Sequence, residues 1–147
     1  SHLENYILGK PRPEGNNLVY RLAEEMSDVV IEKGLSKIDE VWGSEVGLYY
    51  PGLYAGTTDL VGTYNGEPAI IDYKSTKKPK KEEWVEDYYL QCCAYAMAHN
   101  ELFKTKIKQI VILMCSREKQ YQEFVCDGKK FEDKCNKWTK RLEEFYK

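Results

Sequence analysis

The dipeptide Asn65-Gly66 stands between two apolar, β-branched runs, Gly56-Thr-Thr-Asp-Leu-Val-Gly-Thr-Tyr64 and Glu67-Pro-Ala-Ile-Ile-Asp-Tyr-Lys74. Both turn residues tolerate the φ > 0 that a type I′ turn requires, so the stretch predicts a β-hairpin. A loop of two residues also fixes the register. Tyr64 should face Glu67, followed by Thr63 with Pro68, Gly62 with Ala69, Val61 with Ile70 and Leu60 with Ile71. Unless a bulge intervenes, Asp59 then lands opposite Asp72. Lys74, two residues beyond Asp72, projects from the same face.

Two carboxylates facing each other across a ladder destabilise it. At about 5 Å and an effective dielectric near 20 the repulsion is about 3 kcal/mol. Two arrangements relieve it. Asp59 can cap a turn while Lys74 neutralises Asp72, or a divalent cation can sit between the acids. Leu60, Val61, Ala69, Ile70 and Ile71 imply strands buried on both faces, where charge is costly unless it is bound to something. The cation is the better account, and oxygen ligands suit Mg²⁺ or Mn²⁺.

The surrounding chain, 147 residues long, has room for one domain with one sizeable core. A net charge of −2 excludes a protein that coats nucleic acid through a bulk positive field. Basic charge is local: Lys74, Lys77, Lys78, Lys80 and Lys81 form a run, answered in sequence by Glu82, Glu83, Glu86 and Asp87. The run leaves directly from the proposed cation site, where a phosphate backbone would lie. The 12 tyrosines can fill a core or stack on bases. Five cysteines (Cys92, Cys93, Cys115, Cys126 and Cys135) form no C-x-x-C pair. Their spacing supports neither a zinc site nor a disulfide framework, which leaves buried thiols in a reducing compartment. No apolar run is long enough to span a bilayer and no signal peptide opens the chain, so a soluble protein is expected. Ser1-His2 reads as a tag remnant or the cut start of a longer chain.

The rest of the pattern gives element order α-α-β-β-β-α-β-β-α. A short helix from His2 to about Leu8 ends at the breaker cluster Gly9 to Pro13. Asn17 then caps a helix to about Lys33, with Leu18, Leu22, Met26, Val29 and Val30 on one face and Gly34 beyond its end. Ile38–Tyr50 reads as a long strand turned by Pro51-Gly52. Trp84 to about Glu101 reads as a helix, and Ile107–Cys115 and Tyr121–Cys126 as strands. A last helix begins near Lys129, with Phe131, Cys135, Trp138, Leu142 and Phe145 as its core stripe. Such an order predicts a single-domain α/β sandwich over residues 1–147, its mixed central sheet flanked by helices.

On the helix after the lysine run, Gln91 and Tyr95 lie one turn apart and share a face with Tyr88. Asp59, Ile71-Asp72-Tyr73-Lys74 and Gln91-x-x-x-Tyr95, with His2 ahead of Leu3-Glu4-Asn5-Tyr6, resemble the PD-(D/E)XK nucleases of the RecB type. Within that group the likeness is greatest to the branch of mitochondrial and phage-encoded exonucleases, whose final helix Trp138-Thr-Lys-Arg-Leu-Glu-Glu-Phe-Tyr also resembles. This implies a restriction-endonuclease-like fold and a metal-dependent DNA exonuclease acting on single strands or DNA ends in replication, recombination or repair. An endonuclease on the same core, or a non-cleaving nucleic-acid-binding subunit, are the alternatives.

The resemblance further implies a role for each position. Asp59 and Asp72 would ligate Mg²⁺, with Mn²⁺ able to substitute, and the Tyr73 carbonyl and His2 would be further ligands. Lys74 would orient or help deprotonate the attacking water. Gln91 and Tyr95 would position the strand or the lysine, and Lys77, Lys78 and Tyr88 would contact substrate. DNA is the expected partner, with no membrane involved. The expected compartment is the cytoplasm of a bacterium or phage-infected host, or the mitochondrial matrix. A related branch carries an iron–sulfur cluster on four cysteines, one of them upstream; no cysteine precedes Cys92 here, so no cluster is expected. His99 is read as a surface or C-terminal-turn residue, and Glu45 as a reserve acid facing the site.

Overall fold

A computed structural model describes residues 18–147. The expected first helix, the Asn17 cap and His2 lie outside the described residues. Helix α1 (Leu18–Lys33) leads through a 3-10 turn into three consecutive strands, β1 (Ile38–Tyr50), β2 (Tyr54–Tyr64) and β3 (Glu67–Thr76). After a loop and a second 3-10 turn, Glu82–Val85, come α2 (Glu86–Phe103), β4 (Ile110–Ser116), β5 (Tyr121–Cys126) and α3 (Gly128–Phe145).

The strands lie in the order β1-β2-β3-β4-β5. All neighbours are antiparallel except β3 and β4, which run parallel, so the sheet is mixed. A parallel pair needs a crossover, and α2 supplies it. Asn65 (φ 49°) and Gly66 (φ 82°) adopt the left-handed conformations a type I′ turn demands. The five pairs from Tyr64–Glu67 to Leu60–Ile71 have the register the two-residue loop dictates.

Each face of the sheet carries its own core. Leu60, Ala69, Ile71, Val111 and Leu113 meet Met26 and Val30 of α1. Val61, Ile70, Ile110, Ile112 and Met114 meet the α2 residues Tyr89, Cys92, Cys93 and Ala96, together with Phe131 of α3. Every residue of β4 is buried, as befits a central strand covered on both sides.

Several details depart from the sequence pattern. β4 begins at Ile110, not Ile107, because the Asn100 side chain occupies the Ile107 backbone. It accepts from the Ile107 N–H at 2.8 Å and donates to the Ile107 carbonyl at 3.0 Å. Gly34 has φ −113°, so it does not end α1 as a left-handed cap. It is needed for space, since a Cβ there would lie 2.6 Å from the Tyr121 hydroxyl and 2.9 Å from Leu113 Cδ1. Leu18 and Phe145, both placed on apolar stripes by spacing, are 81% and 78% exposed at the ends of their helices. Among the described residues, no helix is long and apolar enough to cross a membrane.

Candidate active site

β2 and β3 part company at Asp59. Their ladder ends at Leu60–Ile71, and on the other side Ser44 pairs with Leu60 and Val46 with Thr58, which sets Glu45 opposite Asp59. Glu45 has φ 51°, so β1 is kinked there. The facing of the strands switches across this point: Val46 joins the α2 side, whereas Leu60, partner of Ser44, joins the α1 side. Where the strands diverge, the Asp59 side chain bridges the gap. Its Oδ2 accepts the Tyr73 N–H at 3.1 Å, a bond a regular ladder would have given to a backbone carbonyl.

The splay brings the acids together. The Asp59 and Asp72 carboxyls lie within hydrogen-bonding range of each other, and Lys74 Nζ is 3.3 Å from Asp72 Oδ2. Asp72 is buried at 5% exposure, and Asp59 is half-buried. Burial first, then the bond to Asp72 and its charge, push the Asp59 pKa from 3.8 to about 7, against the Tyr73 N–H and Lys74. Burial pulls Lys74 down, but Asp72 and then Asp59 more than reverse this, and its pKa is raised overall.

From α2, Tyr88 places its ring 4.9 Å below the Lys74 ammonium. Gln91 Nε2 donates to the Tyr95 hydroxyl at 3.0 Å. Tyr95 lies close over β2 at Gly56, where a Cβ would sit 2.6 Å from Tyr95 Cε1 and 2.9 Å from its oxygen. Only glycine allows that approach. Tyr54 adds a second tie between β2 and α2, donating from its hydroxyl to the Ala94 carbonyl at 2.9 Å. Asp59, Asp72, Lys74, Tyr88, Gln91 and Tyr95 thus form one constellation.

Among the described residues no group of three or more His, Cys, Asp or Glu is placed to hold a metal ion. What the site offers is a pair of oxygen donors. Two close carboxylates, one of them forced toward protonation by the other, suit a hard divalent cation.

Lys77 and Lys78 are exposed on the loop that leaves β3. Gln122 of β5 pins that loop, accepting from the Lys80 N–H at 2.8 Å and donating to the Lys80 carbonyl at 2.7 Å. Three of the four acids that follow the lysines in sequence turn away. Glu82 pairs with Lys130, Glu86 with Lys134 and Lys137, and Asp87 with Arg141, all on α3. Sequence adjacency had suggested that they answer the lysine run. The salt bridges correct that reading: α3, not the loop, takes these three.

Sequence reasoning missed Gln122, whose clamp spans 42 positions, and the requirement at Gly56. The motif Gly-x-x-Asp59 was the one available hint of the latter. His99 is buried at 7%, not on the surface, although it does belong to the last turn of α2. Its Nδ1 meets Thr105 Oγ1 at 2.7 Å and its ring packs between Trp42 and Phe103. It serves packing. The five cysteines are free thiols; Cys93, Cys126 and Cys135 meet in the core on the α2 side, a grouping that spacing along the chain does not reveal.

The mixed sheet with a crossover helix over its acidic split is the restriction-endonuclease-like α/β sandwich. Residues 9–145 match the PD-(D/E)XK nuclease superfamily, and the chain belongs to it. Among solved structures, the chain is similar in fold to a protein of Eubacterium rectale named "Putative exonuclease", with a TM-score of 0.65 at 13% identity. The match covers 96% of this chain and 63% of that one, so the chain spans less than two thirds of that protein's length. The curated proteins contain no match to this chain.

Proposed function

We propose that this nuclease domain is a metal-dependent deoxyribonuclease that trims DNA from an end, with single strands or frayed ends as its substrate. The observation that carries the reading is the pair Asp59 and Asp72, held together at the split between β2 and β3 beside Lys74. The resemblance to RecB-type exonucleases and the name of the E. rectale neighbour support action from an end.

Asp59 and Asp72 would hold Mg²⁺, or Mn²⁺ in its place, with the Tyr73 carbonyl and His2 as further donors. When bound, the ion supplies a lowered pKa for water and neutralises charge developing on the phosphate. Lys74 Nζ, on the same face as Asp72 and only partly exposed, orients the attacking water and balances a non-bridging phosphate oxygen. Gln91 and Tyr95, tied to each other, set the position of the strand and of Lys74. The attacking water gives up a proton and its oxygen bonds to phosphorus as the phosphodiester P–O bond breaks, and the departing sugar oxygen takes up a proton.

Incubation with end-labelled linear and with circular single-stranded DNA tests this. Linear DNA should vanish with Mg²⁺ and survive with EDTA, while circles persist. Loss of circles would make the domain an endonuclease, and survival of both would make it a non-cleaving binder. Asp72→Ala should lower the rate on linear DNA by at least about 100-fold.

A further inference from the structure

Two lysine–aromatic pairs succeed each other along the entrance to α2. Lys74 Nζ lies 4.9 Å from the centre of the Tyr88 ring, and Lys81 Nζ lies 5.4 Å from the centre of the Trp84 ring. The aromatics are four residues apart, one turn, at the junction of the 3-10 turn Glu82–Val85 with α2. The turn is closed by a bond from Trp84 N to the Lys81 carbonyl at 3.0 Å, which fixes the indole beside its lysine. The next residue, Val85, and then Tyr89 go into the core with almost no exposure, whereas Trp84 is 57% exposed. An indole left that far in solvent contributes little to folding. It lies at the end of the lysine loop; of its acidic neighbours, Glu82 and Glu86 are engaged with α3, while Glu83 is exposed.

We propose that Trp84, with Lys81, is the stacking position for an unpaired base of the DNA strand that reaches the carboxylate pair. The inference rests on the nuclease reading above and deepens it. An exposed indole face attracts any base that has a free face, while the adjacent ammonium holds the phosphate next to it. Bases within a duplex have both faces covered by their neighbours, so the position selects single strands and frayed ends. One helical turn separates Trp84 from Tyr88, about 6 Å of rise. That is roughly two stacked nucleotide steps of about 3.4 Å. The stacked base therefore belongs to a nucleotide about two steps from the phosphate at Lys74.

Binding of a fluorescein-labelled oligothymidylate, with Ca²⁺ replacing Mg²⁺ to hold the strand uncut, reads the position by fluorescence anisotropy. Trp84→Ala should raise Kd by about 5- to 150-fold, the loss of one base–aromatic stack. Trp84→Phe should recover most of it, and Trp42→Ala, on β1 against His99 near the far end of α2, should bind as wild type. An oligonucleotide with one abasic residue, moved stepwise along the strand, should at a single position reduce wild-type binding to the level of Trp84→Ala. Circular dichroism melts of the variants confirm that each is folded. The inference is overturned if Trp84→Ala binds like a wild-type domain that does cut DNA, or if Trp84→Phe is as weak as Trp84→Ala. If the wild type neither binds nor cuts single strands, the nuclease reading itself falls, and this inference with it.

Discussion

Asp59 is held in the metal-free fold against its own charge. Its pKa rises from 3.8 to about 7 on folding, because burial and Asp72 both oppose ionisation. A carboxyl raised in this way supports the fold fully below its unfolded pKa, and that support is lost as pH climbs through the folded value. In EDTA, stability should therefore fall as pH rises from about 4 to about 7. Asp59→Asn keeps an oxygen for the Tyr73 N–H but removes the repulsion. At pH 8 it should be more stable than wild type by about 1–3 kcal/mol, and urea unfolding should show the gap closing near pH 4. Mg²⁺ should raise the melting temperature of the wild type more than that of the variant; an equal rise would remove Asp59 from the ion's ligands.

At the scale of elements, the contact between β2 and α2 at Gly56 sets where the α2 side chains stand. Gly56→Ala drives a methyl into Tyr95 at 2.6 Å. The ring must shift, straining its bond to Gln91, at a cost of about 1–3 kcal/mol. Hydrolysis should drop by more than the stability loss explains, seen as a lower kcat at a temperature where the variant is fully folded. The β2–β3 register is legible in the sequence because a two-residue turn leaves no freedom, and β1 and β5 because breakers bound them. With that register come Asp59, Asp72 and Lys74 on one hairpin, and a helical period gives Tyr88, Gln91 and Tyr95. The β1 kink at Glu45, the Gln122 clamp and the meeting of Cys93 with Cys126 and Cys135 depend on pairings between distant segments. No local pattern encodes those. The strand order of the sheet, with β4 beside β3, is hidden for the same reason.

Across the molecule, a net charge of −2 coexists with a lysine-bearing entrance, three of whose four neighbouring acids, Glu82, Glu86 and Asp87, are matched by α3. Affinity for single-stranded DNA should depend on salt through the loop lysines. Each phosphate contact contributes a slope of about −0.7 in log K against log salt. Replacing Lys77 and Lys78 together by alanine should flatten the slope by roughly 1.4, measured by anisotropy in Ca²⁺ over a series of KCl concentrations. An unchanged slope would take these two lysines off the path of the strand. Among the described residues, the hairpin and α2 hold the groups assigned to the chemistry, yet α3 governs what an approaching polyanion feels. By sequestering three carboxylates on its own flank, a helix remote from the scissile bond keeps the doorway attractive, and evolution could retune substrate capture there while leaving the cutting machinery untouched.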